Sequence, residues 1–144
     1  MKEYRASTAI KASPEQIWAI LTDGAAYPEW ELNTTRIDGR IAAGEKLTAY
    51  SKLSPGRAFP VKVTEFVPGQ KMTWSGGMPL GLFKGERSFT LIPRGDGTTE
   101  FTLREVFSGP LLGLIGRTLP DLNTAFAQFA ASLKERAERA VARA

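Results

Sequence analysis

The chain has 144 residues and a formal net charge of +4, with acidic and basic side chains interspersed. Its length suits one domain that buries roughly two-thirds of the surface of the unfolded chain. It contains no cysteine and no histidine, which excludes disulfides, thiolate and imidazole metal sites, and histidine-dependent nucleophilic catalysis. We therefore expect a single domain that uses no metal and no cofactor.

Charge and hydropathy also constrain the partners and the location. The basic residues form no stripe with exposed aromatics, so the sequence predicts no nucleic-acid partner. The first residues lack the apolar core of a signal peptide, and no apolar run approaches the length of a membrane span. We expect a soluble, cytoplasmic protein with no stable membrane insertion, either a monomer or a homodimer.

The first part of the chain predicts one strand followed by two short helices. Residues 4–11 alternate loosely, as a strand does. Ser13 at the N-cap, Pro14 at the first helical position and Gln16 three residues after the cap predict a capping box and a helix start. Residues 25–30 predict a second short helix or turn, and Trp30 at its end is expected to plug one end of the core.

The middle of the chain is rich in strand and turn signals. Six further strands are predicted over residues 34–38, 46–53, 59–67, 71–76, 84–92 and 99–107. The connections have hairpin length, so we expect the strands to be antiparallel.

The last hairpin is the best specified. Centring its turn on Asp96 predicts three facing pairs, which are Leu91 with Phe101, Phe89 with Leu103, and Arg87 with Glu105. Because side chains alternate between faces, two opposite charges are expected on the apolar face. They are either a structural ion pair near the rim of the sheet or a functional pair. In the functional interpretation, Arg87 holds a ligand carboxylate or enolate and Glu105 is a general base.

Two connections are apolar, rich in glycine and uncharged, over residues 76–83 and 109–116. They are either mobile covers over an apolar opening or permanently packed satellite core. The chain then ends in a long helix, predicted over residues 119–143, with Thr118 as N-cap and Pro120 in the first turn. Its apolar stripe consists of Leu119, Leu122, Phe126, Phe129, Ala130 and Leu133.

The order of elements and several local motifs closely resemble the SRPBCC superfamily, the START and birch-pollen-allergen-like helix-grip proteins. The matching segments are residues 10–18, 21–23, 27–30, 63–65, 72–74, 89–91 and 105–109, together with Gly85. The resemblance covers essentially the whole chain, residues 1–144. It implies an α+β helix-grip fold, in which a seven-stranded curved antiparallel sheet wraps around a long C-terminal helix and two short helices follow the first strand.

The resemblance also implies a ligand cavity between the sheet and the C-terminal helix, as in polyketide cyclase-like bacterial members. The residues expected to line it are Trp30, Tyr50, Val63, Trp74, Phe83, Arg87, Phe89, Leu103, Glu105, Leu112, Leu122, Phe126 and Phe129. Without the resemblance, the buried aromatics among them are interpreted as ordinary core.

Three functions remain open. The favoured one is binding or carriage of a small hydrophobic ligand, aromatic, polyketide-like or lipid-like. The second is a cyclase or aromatase that works without metal and uses Glu105 and Arg87 for proton abstraction and enolate stabilisation. The third is a protein- or membrane-interaction module that uses its apolar loops.

Overall fold

Seven strands form one antiparallel sheet in a computed structural model of the chain, which describes residues 1–118 and 121–143. The strands are β1 (Lys2–Ile10), β2 (Thr34–Gly39), β3 (Lys46–Ser51), β4 (Ala58–Val67), β5 (Lys71–Gly77), β6 (Lys84–Pro93) and β7 (Thr99–Ser108). Their order across the sheet is β1-β7-β6-β5-β4-β3-β2, so the first strand pairs with the last. The sheet is curved, and register shifts in β2 and β4 add local bends. The predicted α+β architecture is confirmed.

In the described residues, four α-helices accompany the sheet. They are α1 (Pro14–Leu21), α2 (Tyr27–Trp30), α3 (Leu112–Ile115) and α4 (Leu122–Ala142). The predicted capping box at α1 is confirmed, because the Ser13 hydroxyl accepts from the Gln16 N–H and the Gln16 side chain accepts from the Ser13 N–H. A short 3₁₀ turn, Gly24–Ala26, leads from α1 into α2.

The long helix begins later than the sequence predicts. Thr118 is not its N-cap but the last residue of a 3₁₀ turn, Gly116–Thr118. Asp121 is the N-cap instead, and its carboxylate accepts from the Asn123 N–H at 3.0 Å. Aspartate is among the strongest N-cap residues, and its negative charge also complements the helix dipole. The predicted positions of Leu119 and Pro120 lie outside the described residues.

The register predicted for the last hairpin is confirmed. Leu91 faces Phe101, Phe89 faces Leu103, and Arg87 faces Glu105 across β6 and β7. The four apolar residues of these pairs are buried. The sheet therefore has an inner face, on which these residues lie, and an outer face that carries the alternate residues.

Helix α4 packs on β1 and β7 on the inner face. Its buried stripe consists of Leu122, Phe126, Phe129, Ala130, Leu133 and Ala137. The Phe126 ring packs against Tyr4, with 6.2 Å between centroids, and the Lys134 ammonium donates to the Ala9 carbonyl at 2.9 Å. The helix thus runs in the same direction as β1, and its N-terminal half covers the interior of the sheet.

The two uncharged connections meet at the end of the sheet near the start of α4, which we call the loop end. The Leu111 N–H donates to the Leu82 carbonyl at 2.9 Å and joins the two loops. Phe83 and Leu112 pack against the core, whereas Leu80 and Leu114 are 97% and 69% exposed. Each loop therefore has a packed part and an exposed part.

Candidate functional site

The ion pair between Arg87 and Glu105 is the most distinctive chemical feature of the inner face. Arg87 Nε donates to Glu105 Oε1 at 2.6 Å, and the two side chains are 31% and 13% exposed. The guanidinium carbon lies 5.0 Å from the centre of the Phe126 ring, within the range of a cation–π interaction. The charged pair is therefore held between the sheet and the first turns of α4, partly shielded from water.

Neither partner of this pair uses its full hydrogen-bonding capacity. Within residues 1–118 and 121–143, Arg87 hydrogen-bonds through Nε alone, which leaves both Nη atoms without an acceptor. Glu105 likewise accepts through Oε1 alone. A Cβ added at Gly85 would lie 3.3 Å from Glu105 Oε2, so the glycine leaves the second carboxylate oxygen room on the neighbouring strand. The pair can therefore bind a further group without first breaking its own hydrogen bond.

A cluster of aromatic rings fills the interior between α2, the sheet and α4. The Tyr27 ring contacts Trp30 at 4.8 Å between centroids and Trp74 at 6.4 Å. Phe129, on α4, contacts Trp30 at 5.2 Å and Phe89 at 6.0 Å. Each of these five residues is buried, and they form what we call the aromatic cluster.

The rings occupy the space in which an open cavity was expected. Two surface depressions, of about 340 and 580 Å³, are large enough for a small molecule, and both lie outside the aromatic cluster. The smaller is on the outer face, next to Thr73 and Arg104, and the larger is between β1 and the side of α4 that carries Ala127 and Ala131. A ligand that enters the interior next to the aromatic cluster therefore has to displace aromatic side chains or move the loops.

Most of the predicted lining residues do lie on the inner face. Val63 is opposite Trp74, and Leu103 is opposite Phe89, all four being buried. At the loop end, Phe83 stacks on Phe107 with 5.7 Å between centroids. Leu122 is the first residue of α4, and Leu112 begins α3.

Tyr50 does not lie on the inner face with the other predicted lining residues. The buried residue Leu47 sets the inward positions of β3, so by alternation Tyr50 projects from the outer face. There its ring lies beneath the Arg36 guanidinium, 4.4 Å from ring centre to guanidinium carbon. The expectation that Tyr50 lines the interior is therefore wrong, because this cation–π partner gives the aromatic ring favourable contacts outside the core.

Sequence reasoning missed two features of the interior. The hydroxyl of buried Tyr27 donates to the Leu21 carbonyl at 2.6 Å, and burial raises the pKa of this phenol far above its ordinary value. The indole N–H groups of Trp30 and Trp74 are buried without a hydrogen-bond partner among the described residues. Both features depend on contacts between side chains and leave no pattern in the sequence.

Comparison with known protein families agrees with this architecture. A family model described as polyketide cyclase / dehydrase and lipid transport matches residues 1–138. The chain belongs to this family. The polyketide cyclase/dehydrase and lipid transport family falls within the SRPBCC superfamily, so the resemblance drawn from the sequence is confirmed. No curated protein matches the chain in sequence.

Solved structures similar to this family member cover nearly all of the chain. The solution structure of the Aha1 dimer from Colwellia psychrerythraea is 26% identical over 96% of this chain and 97% of that chain, with a TM-score of 0.72. The Zhui aromatase/cyclase from Streptomyces sp. R1128 is 12% identical over 97% of this chain and 95% of that one, with a TM-score of 0.75. The protein TTHA0849 from Thermus thermophilus is 19% identical over 96% and 99%, with a TM-score of 0.71. The last two likenesses show the fold alone.

The described part of this family member contains no group of three or more acidic, histidine or cysteine side chains placed to hold a metal ion. None of the helices in the same part of the chain is both long and apolar enough to cross a bilayer.

Proposed function

We propose that the protein binds a small hydrophobic molecule with an anionic group, and that the Arg87 guanidinium holds this group at the loop end of the interior. One observation carries the proposal. Arg87 is a partly shielded cation on an apolar face, and Glu105 engages only its Nε. The free Nη atoms can donate to a carboxylate, sulfonate or enolate oxygen.

The surroundings of Arg87 suit an apolar ligand body. Phe126 lies under the guanidinium, and Tyr4 and Phe107 continue the ring surface toward the loop end. Phe83 stacks on Phe107 from the loop that separates this surface from solvent. A ligand whose ring or chain rests on these side chains places its charged end near Arg87, where a charge-assisted hydrogen bond is stronger than in bulk water.

A matched pair of fluorescent probes tests the proposal. 1-Anilinonaphthalene-8-sulfonate carries a sulfonate, whereas N-phenyl-1-naphthylamine has the same aromatic body without it. We expect wild type to bind both, and the variant Arg87→Gln to lose about tenfold in affinity for the sulfonate alone, because one hydrogen bond to a charged group is lost.

Arg104→Gln provides the control. Arg104 directly precedes Glu105 on β7, it bonds Glu3 through Nε at 2.9 Å, and it lies on the outer face. Its substitution should leave both affinities unchanged. Failure of wild type to bind either probe, or equal losses in the two variants, would contradict the proposal.

A second candidate function is catalysis of the cyclase or aromatase kind. The observation in its favour is the unengaged Oε2 of Glu105, which has room beside Gly85 and can accept a proton from a ligand held by Arg87. In a catalyst, Glu105→Gln should reduce turnover by about a hundredfold or more while binding persists. Unchanged turnover of a demonstrated substrate by this variant would exclude the general-base role.

A further inference from the structure

Trp30 and Trp74 carry the only buried side-chain nitrogen or oxygen atoms that lack a hydrogen-bond partner in the described chain, residues 1–118 and 121–143. Their side chains are on two different elements, α2 and β5, and the residues are 7% and 5% exposed. The third tryptophan, Trp18, packs on Phe66 and carries no such buried unpaired N–H. The unpaired, buried N–H is thus specific to the two tryptophans of the aromatic cluster.

An unpaired indole N–H is unfavourable in an apolar interior. The group is a donor only, and burial removes it from water without giving it an acceptor. Neither indole N–H finds an acceptor among the described residues around it. The hydroxyl of neighbouring Tyr27 donates to the Leu21 carbonyl, and its oxygen accepts from neither indole N–H.

The two donors border the same interior as Arg87. Both indole rings contact Tyr27, and Trp74 lies directly opposite Arg87 across β5 and β6. A molecule that reaches from Arg87 into the aromatic cluster therefore passes the Trp74 side chain before it reaches Trp30.

We propose that the indole N–H groups of Trp30 and Trp74 are ligand-binding donors for oxygen acceptors, such as ketone or quinone oxygens, on the body of the hydrophobic ligand. This proposal rests on the proposed function, since it requires a ligand between the sheet and α4. It narrows the ligand class to oxygenated ring compounds. A plain hydrocarbon chain would leave both donors unpaired and gains nothing from them.

Fluorenone and fluorene provide a direct test, because the two probes share one ring system and only fluorenone has a carbonyl oxygen. We expect wild type to bind fluorenone about tenfold more tightly than fluorene, the equivalent of one hydrogen bond that would otherwise be unmade. Trp30→Phe and Trp74→Phe should each reduce this preference severalfold and leave fluorene binding in place. Trp18→Phe is the matched control and should keep the preference.

A measurement on wild type covers the case in which a tryptophan variant does not fold. In ¹H–¹⁵N correlation spectra, fluorenone should shift the indole N–H signals of Trp30 and Trp74 downfield, and fluorene should not. Equal affinities for the two probes, or equal effects of both probes on these signals, would overturn the donor role and leave the proposed function standing. If neither probe binds, the donor role fails, and the proposed function is then decided by the anilinonaphthalene sulfonate and naphthylamine pair.

Discussion

Replacing Arg87 by methionine tests how the interior tolerates the Glu105 carboxylate. Methionine keeps an unbranched apolar side chain next to Phe126 but removes the cation that faces Glu105. The Glu105 side chain is only 13% exposed, so water cannot fully replace the lost partner. Breaking a fully buried pair costs about 3 kcal/mol or more, and the remaining solvent contact lowers this to about 2 kcal/mol. We expect the free energy of unfolding to fall by that amount.

Two further variants separate charge from packing. Arg104→Met breaks the matched pair on the outer face, where Glu3 is 43% exposed, and should leave the free energy of unfolding almost unchanged. The double variant Arg87→Met/Glu105→Leu removes both charges from the inner face. Replacing a buried ion pair by apolar residues is often close to neutral, so it should return to within about 1 kcal/mol of wild type.

Urea unfolding at neutral pH, followed by tryptophan fluorescence, gives the required numbers. With an m-value of about 2 kcal/mol/M, Arg87→Met should lower the midpoint by about 1 M, and Arg104→Met by a small fraction of that. A double variant as unstable as Arg87→Met alone would refute the reasoning, because the loss would then come from packing and not from an unpaired carboxylate.

Three further predictions concern the scaffold. Ser13→Ala should lower the free energy of unfolding by about 1 kcal/mol in urea titrations, because it removes the cap of α1. Ser13→Asn should retain most of the wild-type stability, because asparagine is also a good N-cap. The Lys11 backbone N–H and then the Lys134 ammonium lower the pKa of Glu138, so Glu138→Gln should cost about 1 kcal/mol at neutral pH. The difference should be present at neutral pH and shrink as the pH falls from the ordinary pKa of a glutamate through the lowered pKa of Glu138, where the carboxylate protonates, and a pH-independent difference would count against the linkage. Gly77→Ala should cost roughly 3 kcal/mol in thermal unfolding, since the added Cβ meets the Phe83 carbonyl oxygen, whereas Gly81→Ala meets no atom and should cost about 1 kcal/mol.

The parts of the fold that the sequence predicts well are those that depend on residues close together in the chain. The capping box at Ser13 depends on residues three positions apart, and the last hairpin depends on apolar residues that coincide in one register only. Both are short-range patterns, and both are confirmed. The face on which Arg87 and Glu105 lie follows from the same register.

The errors arise where the local sequence offers more than one choice. Thr118 and Asp121 can each cap a helix, but Gly116–Thr118 forms a 3₁₀ turn and the cap is Asp121. The strand of Tyr50 alternates weakly in sequence, so the burial of Leu47 and the position of Arg36 on the neighbouring strand are needed to show which face the ring takes. The sequence also does not predict the unpaired N–H of Trp74, because it depends on the absence of an acceptor among all the neighbouring side chains.

Pairing of the first strand with the last has a consequence for how the chain folds. Ser7 and Thr102 bond across the β1–β7 boundary, although they are 95 positions apart. During synthesis β1 therefore emerges long before its partner, and it stays without a ladder until β7 is made. Contacts of such long sequence separation slow folding toward the millisecond-to-second range, so closure of this boundary should be a late and rate-limiting event.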